Sequence, residues 1–401
     1  MIGTFLFFLL SAVLSAGIVL FCPPVLEAMS SIILPPQPGM VPWNGHDRIT
    51  VVAMGLTQRT TEPARTDTLL VMDIDPSTHH VSMLSVPRDL WVDIPGYGQG
   101  KLAIAYELGG PKLAAYTLER DLQIPVDYTM AMTFRGFIKL IDAMGGVDVN
   151  VPRELNDPTY PCLTGYAYCP IDIKSGEQHM DGATALEFVR ERHAFVQQDL
   201  ARVQDQQAFS DAVKRTIISP ATWLRYPAIL TAFKQSLMTN LPLNDLPEVG
   251  VQYMLGGRGQ TSHSYININN GLVQTGWSND GQSILVPTSP NAITNLTHHL
   301  FADPQLAREN ASVAVLNGSS TTGAASDAGS TLQGLGFRVV TAGNADRTDY
   351  ARTEVIENLS AGAADYTARR LQRLLGATLV RQSIPSQTAQ IVVVLGRDFV
   401  G

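Results

Sequence analysis

The sequence predicts an α/β protein: a layered domain of helices on a mixed sheet, followed by a small βαβαβ unit. Three observations carry this. Short runs rich in β-branched residues alternate with segments whose apolar residues recur at helical spacing, the pattern of layered α/β domains. Of 401 residues, 45% are hydrophobic and 16% charged, enough apolar material for one large core or two ordinary ones. Near residue 300 the alternation pauses at FADPQLAREN, which reads as a hinge, and then restarts.

The chain opens with MIGTFLFFLLSAVLSAGIVLFCPPVLEAM, which has no charged side chain before Glu27. Residues 2–26 are long enough to cross a bilayer, which takes roughly 20 apolar residues. They read as an uncleaved signal anchor over residues 1–26, in preference to a cleaved signal peptide. No basic leader is present to set its orientation. Residues 27–48, with LPPQPGMVPWNG, form a Pro-rich linker.

A first domain is expected over residues 49–300. ITVVAMG, TLLVMDID and VSMLSV are strands, and DPSTHH between the last two suggests a hairpin. GPKLAAYTLERDL has Pro near its start and helical spacing. YTMAMTF is a strand, and FRGFIKLIDAMGG is an amphipathic helix stopped by Gly145-Gly146. VDVNVP is a strand, DGATALEFV a helix and DLARVQDQQAFSDAVKRTII a longer one. The stretch after Pro220 is assigned to the same domain. A second unit is expected over residues 310–400. There ASVAVLNGSS, FRVVTAG and QIVVVLG are strands, and TGAASDAGSTLQGLG and AADYTARRLQRLLG are helices.

The formal charge of -8 argues against general nucleic-acid binding, which favours a basic face. Cys22 lies in the apolar run. Cys162 and Cys169 bracket CLTGYAYC, and outside the cytoplasm a disulfide is the default for such a pair. Zinc is disfavoured because no second ligand pair has suitable spacing.

Against this acidic background, ALEFVRERHAFVQQDLARVQDQQ gathers arginines. Arg190 and Arg192 point to one side if that piece is extended. Asp199, Arg202 and Gln206, spaced three and then four, share one face of a helix. They lie near its N-terminus, where an anion is favoured, although Asp199 could serve simply as an N-cap. Upstream, Arg65 and Asp67 precede a strand. Arg88 and Asp89 follow one, with Lys101 beyond a Gly-rich turn. Strand ends are where open α/β sheets bind ligands. Arginine suits bidentate phosphate recognition, and an aspartate suits Mg²⁺. No Walker loop or GxGxxG occurs, so the expected ligand is a diphosphate other than a nucleotide's. The competing reading is a set of surface ion pairs.

RTDT, SVPRDLWVDIPGYG, AYELGGP, FRGFIKLIDAMGGVDVNVP, DGATALEFVRERH and DLARVQDQQ, in this order, resemble the LytR-CpsA-Psr family of cell-envelope phosphotransferases over about residues 49–215. Residues 310–400, with VAVLNGSSTTGAA and VVVLG, resemble the LytR C-terminal domain. The resemblance implies a mixed α/β/α sandwich with a hydrophobic tunnel holding a polyprenyl pyrophosphate lipid. It implies transfer of a phosphate-linked glycopolymer from that carrier to a cell-wall hydroxyl, at the membrane and outside the cytoplasm. Asp67 would hold Mg²⁺ or Mn²⁺. Arg65, Arg88, Arg190, Arg192 and Arg202, with Gln206, would face the pyrophosphate. Asp199 would orient Arg202 or act on the acceptor. Arg59 and Lys101 would assist binding. Phe134, Phe137 and Ile141 would line the tunnel, although their helical spacing equally fits ordinary core. Two positions depart from the family pattern: Thr57 in MGLTQR stands where an Asp is usual, and Ala103 in KLAIAY where an Asn is. A lipid pyrophosphatase and a non-catalytic binder of lipid-linked glycan or cell wall remain competing readings.

Overall fold

The computed structural model describes residues 40–57, 63–162, 167–190, 208–252 (except 210, 214, 217, 218, 220, 221, 223, 247 and 251) and 261–399. The expected anchor and most of the linker lie outside these residues. Among the described residues, no helix is long and apolar enough to cross a membrane.

The first domain is built on strands β1 (Ile49–Thr57), β2 (Arg65–Asp75) and β3 (His80–Val86). All three are buried almost end to end, as β-branched runs covered on both faces should be. β2 and β3 form the expected hairpin. A small ribbon follows, β4 (Trp91–Ile94) and β5 (Gly98–Lys101), and then helix α1 (Leu102–Leu122). The helix breaks at Gly109 and Gly110, and Pro111 starts its second half. Gly110 has φ 67, which a side chain would strain.

Strand β6 (Tyr128–Thr133) leads into α2 (Phe134–Met144), which Thr133 caps by accepting from Gly136 N at 3.1 Å. Next come β7 (Val147–Val151), β8 (Leu155–Asp157), β9 (Ile171–Ile173), β10 (Gly176–Met180) and α3 (Gly182–Arg190). A Cβ on Gly182 would sit 2.3 Å from the Ile138 carbonyl, so α3 meets α2 at a point only glycine permits. The domain closes with α4 (Tyr226–Ser236), β11 (Leu237–Thr239), β12 (Thr261–Tyr265), the hairpin β13 (Val273–Trp277) and β14 (Ser283–Pro287), and α5 (Ala292–Phe301).

The main sheet runs β11-β6-β1-β2-β3-β12. β6 is parallel to β1 and β12 to β3, while the other pairs are antiparallel, so the sheet is mixed. Alternate residues face opposite layers. Val51, Ala53, Leu70 and Met130 pack with α2, α3 and α4, and Val52, Met54, Leu69 and Val71 pack with α1 and α5. The result is the expected α/β/α arrangement.

The segment read as a hinge is instead structured. Asp303 caps α6 (Pro304–Glu309) through Gln305 N and Leu306 N and accepts from Tyr366 Oη at 2.6 Å. The C-terminal unit holds β15 (Ser312–Asn317), α7 (Ala324–Gly334), β16 (Arg338–Asn344), β17 (Glu354–Asn358), α8 (Asp365–Leu375), β18 (Thr378–Gln382) and β19 (Ile391–Leu395). Its sheet runs β16-β15-β19-β17-β18. β17 and β18 add to the expected pattern. Their sequences, EVIEN and TLVRQ, mix charge into short runs, and burial of Glu357 is offset by Arg381 at 2.8 Å.

The two units are joined by buried charge. Arg369 Nε and Nη2 donate to Asp47 at 2.7 and 3.0 Å, and Arg373 Nη1 donates to the same carboxylate at 3.0 Å. Arg370 pairs with Asp127 at 3.0 Å and donates to the Arg48 carbonyl at 2.6 Å. Burial alone would raise the Asp47 pKa, but hydrogen bonds from Arg369, Asn44 and Arg373 bring it down to about 2.

Candidate active site

The site lies where β1 ends and β2 begins. The β1–β2 register shifts between Gly55, opposite Thr68, and Leu56, opposite Thr66. Asp67 is therefore the extra residue on β2, and such bulges commonly re-aim a side chain next to a site. Its carboxylate is 8% exposed and accepts from Arg88 Nη1. Arg88 sits in the turn after β3, with 42% of its side chain exposed, so it can serve a ligand while held from behind. Its Nε lies 3.5 Å from Asp89 Oδ2, and Lys101 Nζ donates to Asp89 Oδ1 at 3.0 Å. Asp67, Arg88, Asp89 and Lys101 thus form a continuous alternating chain of charge.

Local folding explains this chain. The Arg88 carbonyl accepts from Ala103 N at 3.0 Å and the Leu90 carbonyl from Leu102 N at 2.8 Å. The turn is thereby pinned to the start of α1, with Lys101 as the residue before the helix. Those two N–H groups are already used, so the positive charge offered here comes mainly from side chains. Ala103 also accepts from Thr66 Oγ1 at 3.2 Å through its carbonyl. Ala103, where the resemblance leads one to expect Asn, is therefore held by main-chain bonds. Thr57 pairs with Arg65 across the strand ends, and Arg65 in turn binds Glu107 on α1 through Nε at 2.5 Å.

Arg190 comes from the opposite layer. It is the last described residue of α3 and lies in that helix, not in an extended segment. Its guanidinium lies 4.3 Å from the Phe134 ring centroid and 5.5 Å from that of Tyr160, and Nη1 donates to Tyr160 Oη at 3.1 Å. Tyr160 is buried, which pushes its phenol pKa up, and the nearby Arg190 charge offsets part of that rise. The Asp67 charge adds a small further upward push on this phenol. Sequence reasoning missed Tyr160. Its signal was its place beside Pro161-Cys162, at the neck of the loop closed by the Cys162–Cys169 disulfide. Cys169 N donates to the Tyr160 carbonyl at 2.8 Å, fixing this residue to the staple.

Phe137 and Ile141 are buried in the core under the sheet, and the Phe137 ring centroid lies 6.0 Å from that of Phe209. Phe134 packs at the edge of that core and carries Arg190. Arg59, Arg192, Asp199, Arg202 and Gln206 lie outside the described residues. Among the described residues, no group of three or more His, Cys, Asp or Glu gathers as a metal site. A magnesium ion that keeps waters and takes phosphate oxygens needs only one or two carboxylates. Asp67 fits that role, with Thr57 near by in the same strand-end region.

This arrangement of a mixed three-layer domain with arginines at one sheet end belongs to a defined class. The LytR_cpsA_psr family model matches residues 31–294, and the chain belongs to that family. A second family model, described as LytR cell envelope-related transcriptional attenuator, matches residues 310–399. Among curated relatives, "Regulatory protein MsrR" of Staphylococcus aureus is 27% identical over 252 residues, covering 62% of this chain and 74% of that protein. The "Polyisoprenyl-teichoic acid--peptidoglycan teichoic acid transferase TagU" of Enterococcus faecalis is 32% identical over 193 residues, covering 48% of this chain and 60% of that protein. Among solved structures, TagV of B. subtilis matches with a TM-score of 0.47 at 23% identity, covering 63% of this chain and 96% of that one.

Proposed function

We propose that this chain transfers a phosphate-linked glycopolymer from a polyprenyl pyrophosphate carrier to a hydroxyl of the cell wall. Membership of the family and similarity to the TagU teichoic acid transferase support the reaction class. The observation that carries it here is the Asp67–Arg88 pair on a bulge at the sheet end, with Arg88 half exposed.

In the reaction, the acceptor oxygen forms a bond to the phosphorus that bears the sugar. The P–O bond to the second phosphate breaks, and the lipid phosphate leaves with the electron pair. The acceptor hydroxyl gives its proton to solvent water. Phosphoryl transfer of this kind depends on positioning and on charge more than on covalent help. Arg88 is held by Asp67 and Asp89 so that its outward edge can meet the pyrophosphate oxygens. Arg190 is braced by Phe134 and Tyr160 to meet charge from the other side. When bound, Mg²⁺ or Mn²⁺ would neutralise phosphate oxygens beside Asp67. Residues 1–26 would anchor the chain in the membrane, with the rest outside the cytoplasm, where the Cys162–Cys169 disulfide persists.

Steady-state transfer by the full chain tests the arginine's role. Removing one preorganised charge typically costs roughly 10²–10³ in rate, so Arg88→Ala should lose about that much and Arg88→Lys less. Wild-type turnover in Arg88→Ala would overturn the reading.

A further inference from the structure

A cavity of 510 Å³ lies away from this cluster, between the two units. Its walls come from the second half of α1, the β6–β11 edge, the end of α8 and Phe399. Thr129 lines it and pairs with Val52, whereas Thr133 at the other end of β6 pairs with Leu56 beside the candidate active site. At about 3.3 Å per residue, those positions are roughly 13 Å apart along the strand. The volume is within the roughly 300–1,000 Å³ of small-molecule sites.

Two features of the lining specify a ligand. Leu237, Leu243, Leu374, Leu375 and Phe399 make much of the wall apolar. Among them sits Arg373, only 3% exposed. Its Nη1 and Nε face Asp47 at 3.0 Å and Asp127 at 3.4 Å, but its Nη2 is buried without any hydrogen-bond partner. That atom has almost no accessible surface, so Arg373 acts on the space through its charge. Lys112 and Lys234 also line the space. Of its two carboxylates, Asp398 accepts from Thr353 N at 2.8 Å, and Glu119 accepts from Val126 N at 3.2 Å. Burial raises the Glu119 pKa well above the usual range, so this group does not repel an anion as an ordinary carboxylate would.

We infer that this interdomain cavity binds a single-chain amphiphile whose one anionic head, a phosphate or a carboxylate, is received by the exposed Lys112 and Lys234, with the buried charge of Arg373 behind them. The hydrocarbon lies against the leucines and Phe399. The site is complete only when α8 is docked on the first domain, so occupancy and docking reinforce each other. This inference stands independently of the transfer reading.

The test uses the full chain held in amphipol, with decyl phosphate, decanoate and decanol as probes followed by titration calorimetry. One equivalent of an anionic probe should bind, and decanol should bind at least about tenfold more weakly, as a lost charge-assisted hydrogen bond implies. Whichever anion binds more tightly identifies the head group. Ala115→Trp, which fills the cavity without touching the ion pairs, should abolish binding. Lys112→Gln with Lys234→Gln should weaken it, and Arg88→Ala should leave it unchanged. Equal affinity for decanol would overturn the inference. So would undiminished binding in Ala115→Trp, or loss in Arg88→Ala instead.

Discussion

Replacing Arg370 by Met should detach the C-terminal unit. The Arg370 side chain is 2% exposed and its partner Asp127 is fully buried, with 3.0 Å between them. The substitution keeps the aliphatic bulk but removes donors to Asp127, to the Arg48 carbonyl and to Thr50 Oγ1. Asp127 would retain Thr50 N at 2.7 Å and Arg373 Nε at 3.4 Å. Breaking a buried ion pair costs about 3–5 kcal/mol, because one charge is left without compensation. The surviving partners place this case near the low end, about 3 kcal/mol. Urea unfolding of the full chain, followed alongside limited proteolysis between residues 300 and 312, measures it. Arg370→Met should unfold at lower urea and expose that connection, whereas Arg370→Met with Asp127→Asn should recover a large part of the loss. A loss below about 1 kcal/mol, or two changes that simply add, would refute the claim that this pair holds the units together.

Three further outcomes follow from the same geometry. Asp47 has its pKa lowered from 3.8 to about 2, so its contribution of about 2 kcal/mol is present above pH 4 and lost as pH falls toward 2; Asp47→Asn should flatten the stability profile across that window. Glu119 has its pKa raised well above 4.5, so its favourable contribution is complete below pH 4.5 and fades as pH rises. Glu119→Gln, which can still accept from Val126 N, should therefore be more stable than wild type at pH 8, and a lower melting temperature there would count against the assignment. Tyr160→Phe keeps the ring beside Arg190 but removes the acceptor at 3.1 Å. A hydrogen bond to a charged group is worth about 1.5–3 kcal/mol, so kcat/KM for transfer should fall at least about tenfold with the melting temperature little changed; unchanged kcat/KM would remove Tyr160 from the site.

Much of the layered fold was legible because its strands are buried on both faces and read as unbroken apolar runs. The second half of α1 was legible from Pro111 near its start, whereas residues 102–108 were not read as a helix. Of the site, Arg65, Asp67, Arg88 and Lys101 were visible as charge at strand ends. The structure joins Asp67, Arg88 and Lys101 in one chain through Asp89, and directs Arg65 to Glu107. Less legible were features that depend on contacts distant in sequence. RRLQR in α8 resembles a solvated face, yet Arg370 and Arg373 are buried because Asp127 and Asp47, more than 240 residues away, neutralise them. Tyr160 had no motif of its own, since its role arises only from its contact with Arg190 on α3.

The central claim is tested most directly by incubating the full chain with a polyprenyl pyrophosphate-linked sugar and Mg²⁺, with and without cell-wall acceptor, and identifying the products by mass spectrometry. The account predicts sugar phosphate on the acceptor together with released lipid phosphate, both lost in Arg88→Ala. Release of free sugar phosphate at the same rate with or without acceptor would make the protein a hydrolase. Lipid binding without turnover would make it a non-catalytic binder, and either result would contradict the transfer reading.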